Sequence, residues 1–285
     1  MHKKFEEGLF FHNVETYNND FSEIIEDALV IEEPLELVLK YQLNNSAVYK
    51  ALSITMRTPG TDLELALGFL YSEGIIDRLS DVLKIDFKIS CQDSEYINQS
   101  IIIEIANHII PKIKELERHF YANSSCGVCG KTALDIVANN SKFILKKQEK
   151  LISKNTIYNL PDKLISAQKL FKKTGGIHAC ALFDFNGELI HFAEDVGRHN
   201  ALDKLIGYCL NENKIPRDEH ILLLSGRASF ELIQKSLSIG IPIVAAVGAP
   251  SSLAVQMAEN FGMTLIGFLR NNKMNVYCNS FRLDQ

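Results

Sequence analysis

Alternating apolar and polar positions dominate the first third of the chain. Residues 28–39 alternate with period two on both sides of Pro34, which predicts strands broken near that proline. Residues 48–56 predict another strand, and residues 82–89 and 96–106 two more. Between them the period changes: Thr61 and Asp62 open a stretch, residues 63–72, that reads as a helix ended by Gly74. Residues 111–120 also predict a helix. Residues 1–120 are therefore expected to form a mixed α+β domain.

Residues 121–160 read as a loop and linker, with a lysine-rich stretch at 142–154 whose charge fits a solvated helix or linker. A second domain is expected over residues 161–285. Residues 161–173 predict a helix with Pro161 near its first turn and Gly175-Gly176 as its stop. Segments 177–185 and 188–192 flank Asn186-Gly187, a strong signal for a two-residue hairpin. Beyond it, helices at 200–210, 229–238 and 251–260 alternate with strands at 220–224, 243–247 and 264–269. Short apolar strands bounded by helices predict a sheet covered on both faces, a three-layer α/β unit.

Composition narrows the class without naming a function. The 285 residues, 46% hydrophobic and 23% charged, are those of an ordinary globular protein with room for two domains. A formal net charge of −5 supplies no overall basic field for nucleic acid, but leaves room for a local basic site for a small anion. The first eight residues carry no apolar core of signal-peptide length, and no apolar run is long enough to span a bilayer. A cytoplasmic location with no membrane contact is expected. Six cysteines are too sparse for a disulfide scaffold. Cys91, Cys180, Cys209 and Cys278 lie in apolar patterns and read as packed core thiols.

The other two cysteines differ. Ser124-Ser125-Cys126-Gly127-Val128-Cys129-Gly130 places two thiols three residues apart, each followed by glycine, with Lys131 next. The spacing suits sulfur carriage, dithiol redox chemistry or half of a zinc site. A nearby cation lowers a thiol pKa. A structural zinc finger takes its four ligands commonly from two such pairs, and only one pair is present. A zinc deaminase carries His-x-Glu and a proline before the pair, and both are missing, so no catalytic zinc is expected. The polar lead-in from Tyr121 reads as a loop, which favours reach over burial. A persulfide on Cys126 could swing between donor and acceptor, with Cys129 assisting release, but spacing alone does not separate a carrier from a redox enzyme.

Further chemistry clusters in the second half. Thr174-Gly175-Gly176-Ile177-His178 lets backbone approach a ligand, or simply stops a helix. Glu194-Asp195-Val196-Gly197-Arg198-His199-Asn200 lies between a strand and a helix. Asp195 or Asn200 can cap that helix, whereas Arg198 and His199 have no capping duty and fit a ligand. In Leu224-Ser225-Gly226-Arg227-Ala228-Ser229-Phe230-Glu231 a strand runs into a glycine and a helix start, so free N–H groups can face an anion beside Arg227. Gly248-Ala249-Pro250-Ser251-Ser252 is another strand-to-helix turn. Phe268-Leu269-Arg270-Asn271-Asn272-Lys273 ends the last buried strand in a cationic loop suited to phosphate or a purine edge, or a plain hairpin turn into residues 274–278.

Taken in order, these segments resemble the formate dehydrogenase accessory sulfurtransferase family. The N-terminal signature is carried by Arg57-Thr58-Pro59-Gly60-Thr61-Asp62, Gly68-Phe69-Leu70 and Ser72-Glu73-Gly74-Ile75-Ile76. The Cys126–Cys129 segment matches the family's sulfur-carrying loop, and the Thr-Gly-Gly-x-His, Glu-Asp-Val-Gly-Arg-His-Asn-Ala and Ser-Gly-Arg segments match its C-terminal half. Coverage runs from about residue 30 to the end. The resemblance implies a sulfurtransferase that accepts persulfide sulfur from a cysteine desulfurase on Cys126, with Cys129 as the second thiol. It implies delivery to the molybdenum (or tungsten) bis(molybdopterin guanine dinucleotide) cofactor, which is then inserted into formate dehydrogenase; a guanine nucleotide would mimic that client. Phe268 to Lys273 would fall on the family's cofactor-binding stretch, a C-terminal part resembling the cytidine deaminase fold is implied, and so is a homodimer. Cys180 departs from the alanine usual after Thr-Gly-Gly-x-His-Ala. The competing reading is a non-catalytic cofactor chaperone with a structural dithiol; a third is a zinc-dependent hydrolase or deaminase.

Overall fold

In the computed structural model, residues 5–6, 8–19, 21–90, 98–111, 143, 145 and 151–284 are described. Three sheets organise them. β1 (Phe5–Glu6), β2 (Leu9–Asn18) and β3 (Phe21–Val30) form an antiparallel ribbon. β4 (Glu33–Leu43), β5 (Ser46–Arg57), β6 (Val82–Ser90) and β7 (Asn98–Ile105) form a second sheet in the order β5-β4-β7-β6, with β4 and β7 parallel. α1 (Asp62–Ser72) links β5 to β6. The strands expected around Pro34, at 48–56, 82–89 and 96–106 are all present, as is the helix at 63–72. The ribbon over residues 9–27 was not foreseen. Its strands keep exposed apolar side chains such as Tyr17, Phe21 and Ile24, so no buried face stamps a period on the sequence.

The second half builds the sheet that carries the site. α2 (Lys154–Ala167), α3 (Lys169–Thr174), β8 (His178–Asp184), β9 (Leu189–Asp195), α4 (Arg198–Asn211), β10 (His220–Leu224), α5 (Phe230–Ser238), β11 (Ile243–Ala246), α6 (Ser252–Asn260), β12 (Thr264–Arg270) and β13 (Lys273–Cys278) follow in sequence. The sheet order is β13-β12-β11-β10-β8-β9, with β10, β11 and β12 parallel and β8 and β13 antiparallel to their neighbours. Alternate side chains divide between two cores. Leu182, Leu222, Leu224, Val244 and Ala246 face α1, α4, α5 and α6, while Ala181, Phe183, Ile221, Leu223 and Ile243 face Ile157, Leu160 and Leu164 of α2. The expected three-layer α/β arrangement is what these contacts make. The larger core is continuous with the inner face of the N-terminal sheet, through Leu35, Leu37, Leu39, Ile101 and Ile103.

Glycines let the two halves meet. A Cβ on Gly68 of α1 would overlap the Asp203 carbonyl of α4, and one on Gly207 of α4 would overlap the Glu64 carbonyl of α1. Lys235 of α5 closes the junction, 2.8 Å from Asp203 and 2.7 Å from the Ser72 hydroxyl. Buried Arg57 fixes the start of α1 through a two-pronged pair with Asp62 at 2.8 and 3.0 Å, with Glu33 and Gln99 also bonded to it.

Two expectations are corrected. The helix expected to start near Pro161 begins at Lys154, where the Ser153 hydroxyl accepts from the Asn155 amide, and Pro161 lies inside it. Packing of Ile157, Leu160 and Leu164 outweighs the backbone bond that the proline omits. The strand expected at 264–269 runs one residue further, to Arg270, and the polar loop shrinks to Asn271 and Asn272, both in the left-handed region, with Lys273 already starting β13: the plain hairpin turn is the reading that the structure makes. All but the first residue of the helix expected at 111–120, the boundary near residue 120, Cys91 and the Cys126–Cys129 pair lie outside the described residues. Cys180 and Cys209 are buried and Cys278 half-buried, and burial pushes all three thiols up in pKa. No helix among the described residues is long and apolar enough to cross a membrane.

Candidate functional site

The parallel run of β10, β11 and β12 sets their carboxyl ends on one edge of the sheet. β9 also ends there, and β8 starts there, since His178 pairs with Asp195. The loops are laced together across this edge. The Ser225 hydroxyl accepts from the Ala179 amide at 2.9 Å, Gly248 N donates to Gly226 O at 3.0 Å, and Phe268 N donates to Gly248 O at 3.1 Å. Gly248 keeps this lacing close, since a Cβ there would stand 3.0 Å from Gly226 O and 3.1 Å from Arg227 N. Such an edge is where open α/β sheets bind ligands.

Three helices begin at this edge: α4 after Gly197, α5 after Ser229 and α6 after Ser251. Only the last has a side-chain cap, the Ser251 hydroxyl accepting from Ala254 N at 3.3 Å. The first turn of α4 has no side-chain cap and can face an anion, whereas in the first turn of α5 the Glu231 carboxylate already accepts from its own amide. Arg198 sits in the first turn of α4, and its Nε is buried with no hydrogen-bond partner. Arg227 is exposed beside Gly226. His178 lies against Gly226, 3.4 Å from where a Cβ would be. Burial, and then the charges of Arg198 and His199, hold the His178 pKa below its usual value. The His199 Nε2 lies 3.5 Å from the Ser229 hydroxyl and 3.9 Å from a Glu231 oxygen. The His199 ring beside it is the chief cause that brings the Glu231 carboxyl down to about 2, and its own amide and the Ser229 hydroxyl add to the shift.

The remaining acids of this region are committed elsewhere. Asp195, fully buried, lies 2.7 Å from Lys204 Nζ and accepts from Thr58 N, Gly197 N and Asn200 Nδ2. Lys204 also donates to the Thr58 and Glu194 carbonyls, and Asn200 is held by Thr55 and the Met56 carbonyl. Glu194 accepts from Leu170 N and Phe171 N at the start of α3. The segment from Glu194 to Asn200 thus splits: Glu194, Asp195 and Asn200 fasten the corner, and Arg198 and His199 stand on it. Lys204 neutralises Asp195 and backbone amides take up Glu194, which leaves Arg198 and Arg227 as the cations of the crevice, with Glu231 beside them.

The sequence-derived residues are brought together unevenly. His178, Arg198, His199 and Arg227 share the crevice. Gly175, in the left-handed region, ends α3 with its N–H on Phe171 O, and both it and Gly176 are exposed just before His178. Phe268 lies at the crevice lip, whereas Leu269 is buried in the core against α2, and Arg270, Asn271, Asn272 and Lys273 run outward along the hairpin. Glu231 and Tyr277 had not been singled out. The first ends the Ser-Gly-Arg segment, in the first turn of α5, where no role was read for it; the second reaches the edge only through the pairing of β13. Among the described residues no group of three or more His, Cys, Asp or Glu is arranged to hold a metal ion.

This architecture has relatives. A crystal structure titled as a putative formate dehydrogenase accessory protein from Desulfotalea psychrophila superposes with a TM-score of 0.70, covering 97% of this chain and all of that one, at 22% identity; it shares the fold. The curated sulfur carrier protein FdhD of Mycolicibacterium paratuberculosis is 44% identical over 258 residues, 90% of this chain and 92% of the relative. Proteins of the same name from Streptomyces avermitilis and Picrophilus torridus are 45% and 43% identical, over 90% and 91% of this chain and 89% and 93% of theirs. The profile of the FdhD/NarQ family spans residues 30–284, from the junction of β3 and β4 through every segment that lines the crevice. The chain belongs to the FdhD/NarQ family.

Proposed function

We propose that this protein is a cytoplasmic sulfur carrier for formate dehydrogenase maturation. Cys126 takes sulfur from a cysteine desulfurase and passes it to the molybdenum (or tungsten) bis(molybdopterin guanine dinucleotide) client. The Cys126 thiolate attacks the outer sulfur of the donor's persulfide; that S–S bond breaks, the donor thiolate leaves, and Cys126 carries the sulfane sulfur with no net oxidation. Cys129 supports release. The C-terminal crevice holds the client's guanine dinucleotide, and the protein acts as a homodimer. The expectation of a cytidine deaminase-like C-terminal sheet belongs with this reading and rests on the sequence resemblance.

The observation that carries the crevice half of the proposal is the convergence of Arg198, Arg227 and the uncapped N-terminus of α4 on one sheet edge. A diphosphate is a natural occupant of such a place. The sulfur half rests on the Cys126-x-x-Cys129 pair and the names of the relatives. Intact-mass analysis after incubation with cysteine and a desulfurase tests it. A one-sulfur adduct is expected on the wild type and absent from Cys126→Ala, which also loses formate dehydrogenase activation. A full adduct on Cys126→Ala refutes the assignment. Full activation by a variant lacking both thiols would leave a cofactor-holding protein with a structural dithiol.

A further inference from the structure

Phe268 is out of character with its strand. The first four residues of β12 are buried, yet Phe268 is 37% exposed with φ at +52°, a conformation rare for a bulky aromatic residue. The pairing with β13 shifts register between Gly267 and Arg270, so a bulge lifts Phe268 out of the sheet. Its amide is nevertheless tied to Gly248 O at 3.1 Å, inside the crevice loops. Strain retained under such a tie marks sites of function. A second aromatic residue adjoins it. A Cβ on Gly267 would stand 2.9 Å from the Tyr277 ring and 2.8 Å from Pro250, so glycine is what admits that ring beside the start of α6. Tyr277 stays 37% exposed. The β12 end of the crevice is thus apolar and aromatic, while the β8–β10 end holds His178, Arg198, His199 and Arg227.

We infer that Tyr277, with Phe268, is the wall on which the planar purine base of the client's nucleotide stacks, while the diphosphate lies at the cationic end. Three strand spacings separate β8 from β12 in the order β8-β10-β11-β12, a span of about 14 Å that suits an extended nucleoside diphosphate. This rests on the crevice reading above, and assigns Tyr277 a part in base recognition.

Calorimetric titration with GDP and with inorganic pyrophosphate tests the inference. Wild type is expected to bind both. Tyr277→Ala should lose about ten-fold or more in GDP affinity, the usual scale of one base–aromatic stack, with pyrophosphate unchanged. Tyr277→Phe should keep GDP affinity. Tyr277→Leu retains cover over Gly267 without a π face and should behave as Tyr277→Ala. The chain has no tryptophan, so tyrosine emission is readable, and part of its quenching by GDP should vanish in Tyr277→Phe although binding persists. GDP affinity within about two-fold of wild type in both Tyr277→Ala and Tyr277→Leu overturns the stacking role. So does an equal loss of pyrophosphate binding, which would make Tyr277 a structural residue. Wild-type protein that binds neither ligand removes the crevice reading itself, and the inference with it.

Discussion

Replacing Asp195 by alanine removes the anchor of the crevice corner. Asp195 and Lys204 have side chains 0% and 2% exposed and stand 2.7 Å apart, so truncation leaves a buried ammonium without its counter-charge. Breaking such a pair from one side costs about 3–5 kcal/mol. The Thr58 and Gly197 amides, held at 3.1 and 2.8 Å, lose their acceptor as well. Each buried N–H left unpaired adds about 1–3 kcal/mol, although Lys204 keeps the Thr58 and Glu194 carbonyls and water can enter the gap. We expect a loss of about 4–6 kcal/mol, a large share of the ~5–15 kcal/mol typical of a folded chain. Urea unfolding followed by circular dichroism measures it as a fall in midpoint at constant slope. Lys204→Met in the Asp195→Ala background should recover part of the loss, because the stranded charge is gone. Asp195→Ala costing less than about 1 kcal/mol, or no recovery in the double variant, would refute the buried-pair argument. Because Asp195 also holds Gly197 and Asn200, GDP affinity should fall in any Asp195 variant that still folds.

Gly68→Ala and Gly207→Ala should each cost about 3 kcal/mol or more, since either methyl group meets backbone of the facing helix; thermal melts with unchanged midpoints would show that α1 and α4 can part freely. Burial is the chief cause holding the pKa values of His178, His191 and His220 below 6.5. The unfolded chain then binds protons first, so stability should fall as pH drops through about 6.5 toward the folded-state values. A urea midpoint flat across that window contradicts this. The Glu231 carboxyl, lowered from 4.5 to about 2 by His199, contributes stability that is complete above its unfolded value and lost as pH falls through the folded one. Glu231→Gln should remove that acid limb, and an unchanged acid profile would argue against the His199 contact. Arg198→Met should weaken GDP and pyrophosphate binding together by about ten-fold or more, read by calorimetry, since it removes a cation whose Nε has no protein partner.

Much of this protein could be read directly from residue order. Period-two apolar alternation located β4 to β7, and short apolar runs bounded by helices located β10 to β12, because the former bury one face and the latter both, while Asn186-Gly187 fixed the hairpin between β8 and β9. The order of the Thr-Gly-Gly-x-His, Arg198–His199 and Ser-Gly-Arg segments indicated the family and four residues of the crevice. Other features were illegible for physical reasons. The start of α2 was hidden because local rules put proline at a helix beginning, whereas tertiary burial of one helix face carries Pro161 in its interior. The ribbon of β2 and β3 was hidden because its pairing rests on backbone hydrogen bonds between strands whose side chains are largely exposed.

Residue types and spacing by themselves settled which chemistry the chain can hold: a close pair of thiols, cations beside glycine turns, and a sheet with helices to cover it. Tertiary structure alone decided which of those groups meet. It spent Glu194, Asp195 and Asn200 on fastening one corner, left Arg198 and His199 standing there, and sent Leu269 into the core. It also brought Tyr277 to the edge through a bulged antiparallel pairing. The reason is that a side chain's role depends on its partners through space, and strand order and helix packing set those partners at sequence separations that no local pattern encodes.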